Sequence, residues 1–208
     1  MQLVLNTKSM IENQNGGKKN ESIRCRICKE FYPHGKRWMG AGWHERNGGN
    51  LSYRIRLEEV EAVKEDFEPK EWQPIGTTVP KLAKEYFIVT GSGKYFRNVI
   101  IKPEDSICII ELDEKGENYR IVWGLVNGGR PTSELPTHLM NHEVKMIATG
   151  GKHRVIYHAH PTNIIALTFV LPLEDKVFTR ELWEMSTECP VIFPEGVGVV
   201  PWMVPGGT

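Results

Sequence analysis

YFIVTGSGKYFRNVIIKPEDSICIIELDEKGENYRIVW (residues 86–123) decides the fold. Tyr86-Phe87-Ile88-Val89-Thr90, Val99-Ile100-Ile101, Ser106 to Leu112 and Tyr119 to Trp123 are short runs rich in β-branched and aromatic residues. Turn chemistry at Gly91-Ser92-Gly93-Lys94 and Asp113-Glu114-Lys115-Gly116 separates them, which predicts a meander of strands. Connections this short suit antiparallel neighbours. Upstream, Asn47-Gly48-Gly49-Asn50 is a turn signal, and Leu51 to Leu57 alternates apolar with polar residues as a strand does. Glu58 to Glu71 is acidic and partly helical or irregular, and Pro69, Pro74 and Pro80 bracket a connection.

Downstream the period changes. Leu135, Leu139, Val144, Met146 and Ile147 fall on one helical stripe between Thr132 or Ser133 as N-cap and the stop Gly150-Gly151, predicting a helix over 134–149. Arg154 to His160 is a strand, Thr162 to Val170 a buried helix and Thr179 to Met185 another helical piece. Val191-Ile192-Phe193 and Val197 to Val200 close the sequence as strands. The expected fold is a layered α/β domain with a central mixed, largely antiparallel sheet flanked by helices.

Composition narrows the function. The chain has 208 residues, 40% hydrophobic and 25% charged, with 26 basic against 26 acidic side chains and zero formal net charge. One domain with an adequate core is expected, and the balanced charge argues against nucleic acid as a partner. The most apolar stretch, Ile164 to Leu173, is too short to span a bilayer, and no signal-peptide succession opens the chain, so a cytoplasmic location is expected. Four cysteines (Cys25, Cys28, Cys108, Cys189) form no disulfide framework. Residues 1–22 are polar and expected to be disordered, and 23–208 to form the single domain.

The chemistry centres on His158-Ala159-His160. On a strand, alternate side chains share a face, so two imidazoles can converge on one ion, with zinc the natural candidate. Two ligands do not complete a catalytic zinc site. His138 and His142, four apart on the predicted helix, are reserve ligands but read as surface residues, and Cys25-x-x-Cys28 with His34 lacks a second pair. Glu134 opens the helix and reads either as the acid/base partner of the metal or as a helix-start carboxylate. Thr132 and Ser133 either cap that helix or bind a phosphate. Gly91-Ser92-Gly93-Lys94 and Asn47-Gly48-Gly49-Asn50 are either ordinary turns or anion-binding nests. Glu188 is a second acid/base group or an exposed turn carboxylate.

Gly42 to Leu51, Phe87 to Lys94, Pro131 to Pro136, His158-Ala159-His160, Thr187-Glu188-Cys189 and Trp202 to Gly206, in this order, resemble the bacterial rhamnulose-1-phosphate aldolases, a family of zinc-dependent class II aldolases. The resemblance implies an α/β fold, a fourfold homotetramer, one Zn2+ per subunit and retro-aldol cleavage of rhamnulose 1-phosphate to dihydroxyacetone phosphate and lactaldehyde, a step of rhamnose degradation. It implies zinc on His158 and His160, and proton transfer beside the ketone by Glu134. It places the phosphate among Asn47, Gly49, Asn50, Ser92, Gly93, Thr132 and Ser133, and sets Glu188 on the aldehyde half across a subunit boundary.

The family continues beyond the position matching Thr208 and carries a third zinc histidine there. A chain ending at Thr208 is therefore expected to bind zinc weakly and to have impaired activity. Residues 23–40 lack the family's amphipathic helix, and a shifted reading frame with an early stop is the expectation that joins both departures. The alternatives are another class II sugar-phosphate aldolase or epimerase, or a noncatalytic truncated paralogue.

Overall fold

The structure, a computed structural model, describes residues 42–202. Expectations for the disordered 1–22, the segment 23–40, Cys25, Cys28 and His34 lie outside the described residues. Six strands make one sheet in the order β2-β5-β4-β3-β1-β6. They are β1 (Asn50–Arg54), β2 (Gln73–Pro74), β3 (Tyr86–Thr90), β4 (Ile107–Leu112), β5 (Asn118–Gly124) and β6 (Val155–His158). Every pairing among them is antiparallel, so the sheet is not mixed. The meander β3-β4-β5 forms as the turns at its ends require.

Alternation along these strands builds two cores, one on each face. Phe87 and Val89 of β3 join Cys108, Ile110 and Leu112 of β4 on one face, with Leu125, Leu135 and Leu139. Ile88, Ile107 and Ile109 point the other way, joining Leu51, Tyr53, Phe96 and Tyr157. Helix α1 (Leu57–Glu61) contributes Val60 to this second core, and the single turn α2 (Pro103–Ser106) leads into β4.

The long helix α3 (Leu135–Thr149) covers the first face and ends at Gly150, whose φ of 60° is the left-handed stop its sequence announces. Its buried stripe is Leu135, His138, Leu139 and His142, at the i, i+3, i+4, i+7 spacing of a packed helix. Val144 and Ile147 face outward instead, at 62% and 66% exposure. This corrects two expectations, because the apolar stripe is completed by histidines, and His138 and His142 are core residues and not surface ones. The reason lies on β1, where Asn50, Ser52 and Arg54 point at α3 while Leu51 and Tyr53 point away. The polar face of β1 is buried too, because His138 and His142 of α3 pack against Asn50 and Ser52.

Three expected strands are absent. Around Val99-Ile100-Ile101 the chain forms a 3-10 turn at Phe96–Asn98, and the Asn98 carbonyl accepts from both Ile101 and Lys102 N–H groups in place of a ladder partner. Val191 and Ile192 belong to a helical turn, α6 (Cys189–Ile192), started by Pro190 in its first turn, where a proline ring already has the helical φ. Val197 to Val200 has no regular secondary structure, and it is tied to Thr179 and Asp175 of α5 (Asp175–Met185) by side-chain hydrogen bonds. Helix α4 (Thr162–Leu167) is shorter than expected, and it is not buried. Phe169 and Val170 beyond it are exposed. Among the described residues no helix is long and apolar enough to cross a membrane.

Candidate functional site

Antiparallel pairing gathers the site at one end of the sheet. Asn50, the first residue of β1, lies opposite His158, the last of β6. Strand β3 runs antiparallel to β1 and ends at Thr90, whose hydroxyl accepts from the Leu51 N–H, so the 91–94 turn emerges at the same end. A bridge between Gly91 and Pro131, with Ser92 N–H on the Arg130 carbonyl and Thr132 N–H on the Thr90 carbonyl, pins the 130–134 loop beside it. The N-terminus of α3 follows directly. Turn 47–50, turn 91–94, loop 131–134 and His158-His160 thus come together although they are far apart in sequence.

Within this cluster Glu134 Oε2 lies 2.8 Å from His158 Nδ1, and both side chains are largely buried. His160 follows the end of β6, yet its ring centroid is 4.9 Å from that of His158. His160 Nδ1 lies 2.5 Å from Glu45 Oε1. Each imidazole therefore has a carboxylate on Nδ1, and neither Nε2 has a protein partner among the described residues. That is the arrangement in which an outer carboxylate fixes a ligating histidine and leaves Nε2 for a metal. The donor set fits a borderline cation such as zinc. It is incomplete, because no group of three His, Cys, Asp or Glu side chains among the described residues is placed to hold an ion.

Burial pushes the Glu134 carboxyl up, but the His158 hydrogen bond and charge, with an Asn50 amide, outweigh it and hold the group below its ordinary range. Glu134 occupies the cap position of α3, and its own N–H reaches Thr132 Oγ1 at 3.3 Å. Glu134, and neither Thr132 nor Ser133, is therefore the N-cap residue, and no side chain caps the helix; Thr132 is buried whereas Ser133 is exposed. Asn50 is buried with its side chain engaged internally by His138 and His158, while Asn47, Ser92 and Gly93 are exposed. Glu188 is exposed on the connection from α5 to α6, where its N–H donates to Ser186 Oγ and its carbonyl accepts from the Val191 and Ile192 N–H groups.

Gly49 shows how closely the turn is packed. Its φ is 76°, and a Cβ there would lie 2.5 Å from the His158 carbonyl oxygen and 2.5 Å from His44 Nδ1. A Cβ on Gly48 would meet Glu45 Oε1 at 2.8 Å and His160 Nδ1 at 2.9 Å. The turn is shaped to bring backbone against the histidine pair.

Glu45 and His44 are site neighbours that the sequence did not single out, although both lie in the quoted 42–51 stretch. His44 bonds the Gly48 carbonyl through Nδ1 at 2.8 Å and the Tyr157 hydroxyl through Nε2. Burial lowers its proton affinity despite the Gly48 bond, and His160 and His158 add to that. A carboxylate and an imidazole directly before a Gly-Gly turn were the available signal.

Residues 29–208 match the family described as Class II Aldolase and Adducin N-terminal domain. The chain is similar to a rhamnulose-1-phosphate aldolase of Mannheimia succiniciproducens, 60% identical over 171 residues, covering 81% of this chain and 62% of that one. A second rhamnulose-1-phosphate aldolase, from Pectobacterium atrosepticum, is 55% identical over 170 residues with the same coverage of 81% and 62%. The chain thus spans 62% of the length of these relatives. The crystal structure of a sugar-phosphate aldolase from Thermotoga maritima superposes with a TM-score of 0.69 at 27% identity, over 87% of this chain and 72% of that one.

Proposed function

The chain belongs to the class II aldolase family, and on that premise we propose that it carries the carboxylate and two of the metal ligands for cleaving rhamnulose 1-phosphate to dihydroxyacetone phosphate and lactaldehyde. The observation that carries the reading is the Glu134 carboxylate 2.8 Å from Nδ1 of His158, beside the His160 ring. The substrate assignment is supported by the names of the similar curated proteins.

Nε2 of His158 and of His160 would hold zinc, with a third donor from outside residues 42–202 or from a neighbouring copy. Bound there, zinc supplies Lewis-acid stabilisation of negative charge on the ketose oxygens. In the cleavage the carboxylate on the aldehyde half, assigned to Glu188 of an adjacent copy, takes the proton of the hydroxyl there, the O–H electron pair forms the aldehyde C=O, and the pair of the broken carbon–carbon bond passes to the carbon next to the ketone. Glu134 returns a proton to that carbon, and its position between His158 and Asn50 keeps the carboxyl at the reacting end of the sheet. Glu188 of an adjacent copy is assigned to the aldehyde half, which requires the fourfold assembly. Asn47, Gly49, Asn50, Ser92, Gly93, Thr132 and Ser133 are assigned to the phosphate end. A charged sugar phosphate does not leave the cytoplasm unaided, and the enzyme is assigned there.

Release of dihydroxyacetone phosphate from rhamnulose 1-phosphate by purified protein, followed by coupled reduction, tests the reading. It should require added zinc and fall by at least about a hundredfold in Glu134→Gln. Cleavage at more than about a tenth of the wild-type kcat in that variant, or undiminished cleavage in the presence of a strong chelator, refutes it. The incomplete donor set favours a second reading, a noncatalytic phosphate-binding paralogue. That reading is met by a folded protein that binds phosphate and takes up no zinc.

A further inference from the structure

Between β1 and α3 runs a chain of buried polar contacts that the reaction does not use. His142 Nε2 lies 2.8 Å from Ser52 Oγ, and Ser52 Oγ lies 2.6 Å from His138 Nδ1. His138 Nε2 bonds Asn50 Oδ1, and Asn50 Nδ2 lies 3.3 Å from His158 Nδ1. Ser52, His138 and His142 are fully buried. The chain therefore leads from the middle of the first core to the metal-facing pair.

The chemistry of the atoms gives the chain a direction. Burial disfavours a charge on either histidine, so each ring carries one N–H. Asn50 Oδ1 can only accept, so the His138 proton sits on Nε2 and Nδ1 is an acceptor. Ser52 has one hydroxyl proton, gives it to His138 Nδ1, and accepts from His142 Nε2–H. His142 Nδ1 is then a bare lone pair, and it is a buried atom with no hydrogen-bond partner.

The reverse arrangement fails at both ends. With the Asn50 amide turned over, every donor would swap, and His142 would bury an unpaired N–H, which costs more than an unpaired acceptor. At the other end Asn50 Oδ1 would face the Glu134 carboxylate, oxygen against oxygen. In the observed direction Asn50 N–H and His158 are both turned toward Glu134.

We propose that Ser52, His138 and His142 are positioning residues that lock the Asn50 amide with its N–H toward Glu134, and so hold the carboxylate in place. Its kinetic part rests on the aldolase reading above. It gives the buried histidines a role that an apolar stripe on α3 cannot fill, since apolar residues there would pack but leave Asn50 free to turn. It also makes Asn50 an organiser of the carboxylate in addition to its assignment near the phosphate.

The test uses the whole chain with 15N-labelled imidazoles. In the wild type both His138 and His142 should show the Nε2–H tautomer. Ser52→Ala removes the donor to His138 Nδ1, so the 15N shift of that nitrogen should move toward that of an unbonded lone pair, and Ser52→Thr, which keeps the hydroxyl, should restore it. In cleavage assays Ser52→Ala should lower kcat by about 10–100-fold, the range for loss of an outer hydrogen-bonding partner, with KM changed less than about threefold, and Ser52→Thr should recover most of the loss. If Ser52→Ala does not fold, Ser52→Cys keeps the volume with a weaker donor and carries the same comparison. An Nδ1–H tautomer at His138 in the wild type overturns the proposal whether or not the protein is an aldolase. So does an unchanged kcat in a folded hydroxyl-free variant. Absence of cleavage in the wild type counts against the aldolase reading alone, and the tautomers still decide the relay.

Discussion

Asn50 and His158 are directly opposed on neighbouring antiparallel strands, Asn50 beginning β1 and His158 ending β6, with Nδ2 and Nδ1 3.3 Å apart. A single register thus places a turn residue and a metal-ligand candidate on the same face of the sheet. A one-residue slip of either strand would send its side chain to the opposite face and separate the pair. The site is built by strand pairing, and the loops only complete it.

Glu134→Gln keeps the size of the side chain and its place at the head of α3, but it cannot carry a proton between substrate and solvent. We expect kcat to fall by about a hundredfold to ten-thousandfold, the usual contribution of a positioned acid or base. The thermal midpoint should stay close to that of the wild type. A variant retaining more than about a tenth of the wild-type kcat would remove Glu134 from the proton-transfer role.

Glu45 holds Nδ1 of His160 at 2.5 Å, as Glu134 holds that of His158. Glu45→Gln replaces the charged acceptor with a neutral one and should weaken zinc affinity by about 10–100-fold. Competition with a metal-sensitive dye measures this directly. His160→Ala should lose more, because it removes the donor itself, and equal affinities in the two variants would show that Glu45 does not orient the ring.

At Gly49 the φ of 76° alone costs a side chain about 1–2 kcal/mol, and a new Cβ would press on the His158 carbonyl at 2.5 Å. Gly49→Ala should therefore lower stability by more than that backbone cost and displace the end of β6. Gly93 also has a positive φ, but a Cβ there meets nothing within 4 Å. Gly93→Ala should cost only the backbone part. Urea unfolding of the two variants side by side separates strain from collision, and equal losses would show that the collision relaxes freely.

The β3-β4-β5 meander and α3 were legible because alternation, turn residues and a glycine stop all agreed there. The family resemblance was legible in the motifs and is borne out by the match over residues 29–208. The C-terminal apolar runs were misread, since a short run such as Val191-Ile192-Phe193 has no period, and Pro190 decided for a helical turn. The histidines of α3 were misread for another reason. A polar residue on a helix reads as exposed unless its partner is known, and that partner, Ser52, lies 86 positions from His138 and 90 from His142. His158 and His160 were expected to share a strand face, but β6 ends at His158 and the two rings approach beyond the ladder.

The same buried histidines set the acid limit of the fold. Burial pushes His138 down to about 4, with Glu134 opposing and His158 reinforcing, and burial, helped by His138, Arg54 and Arg154, holds His142 well below its ordinary value. In the unfolded chain both protonate near 6.5, so below that pH the unfolded state binds more protons than the folded one. Stability that is complete above pH 6.5 is therefore lost as pH falls toward 4, by up to about 3 kcal/mol for His138 alone. Replacing His138 by Gln should flatten this part of the curve while lowering stability at neutral pH, because the Ser52 hydroxyl loses its acceptor. Chemical unfolding between pH 7.5 and 4.5 measures both effects. A wild-type stability that is level across this range, or a variant with the same slope, would mean that the buried rings take up protons without unfolding.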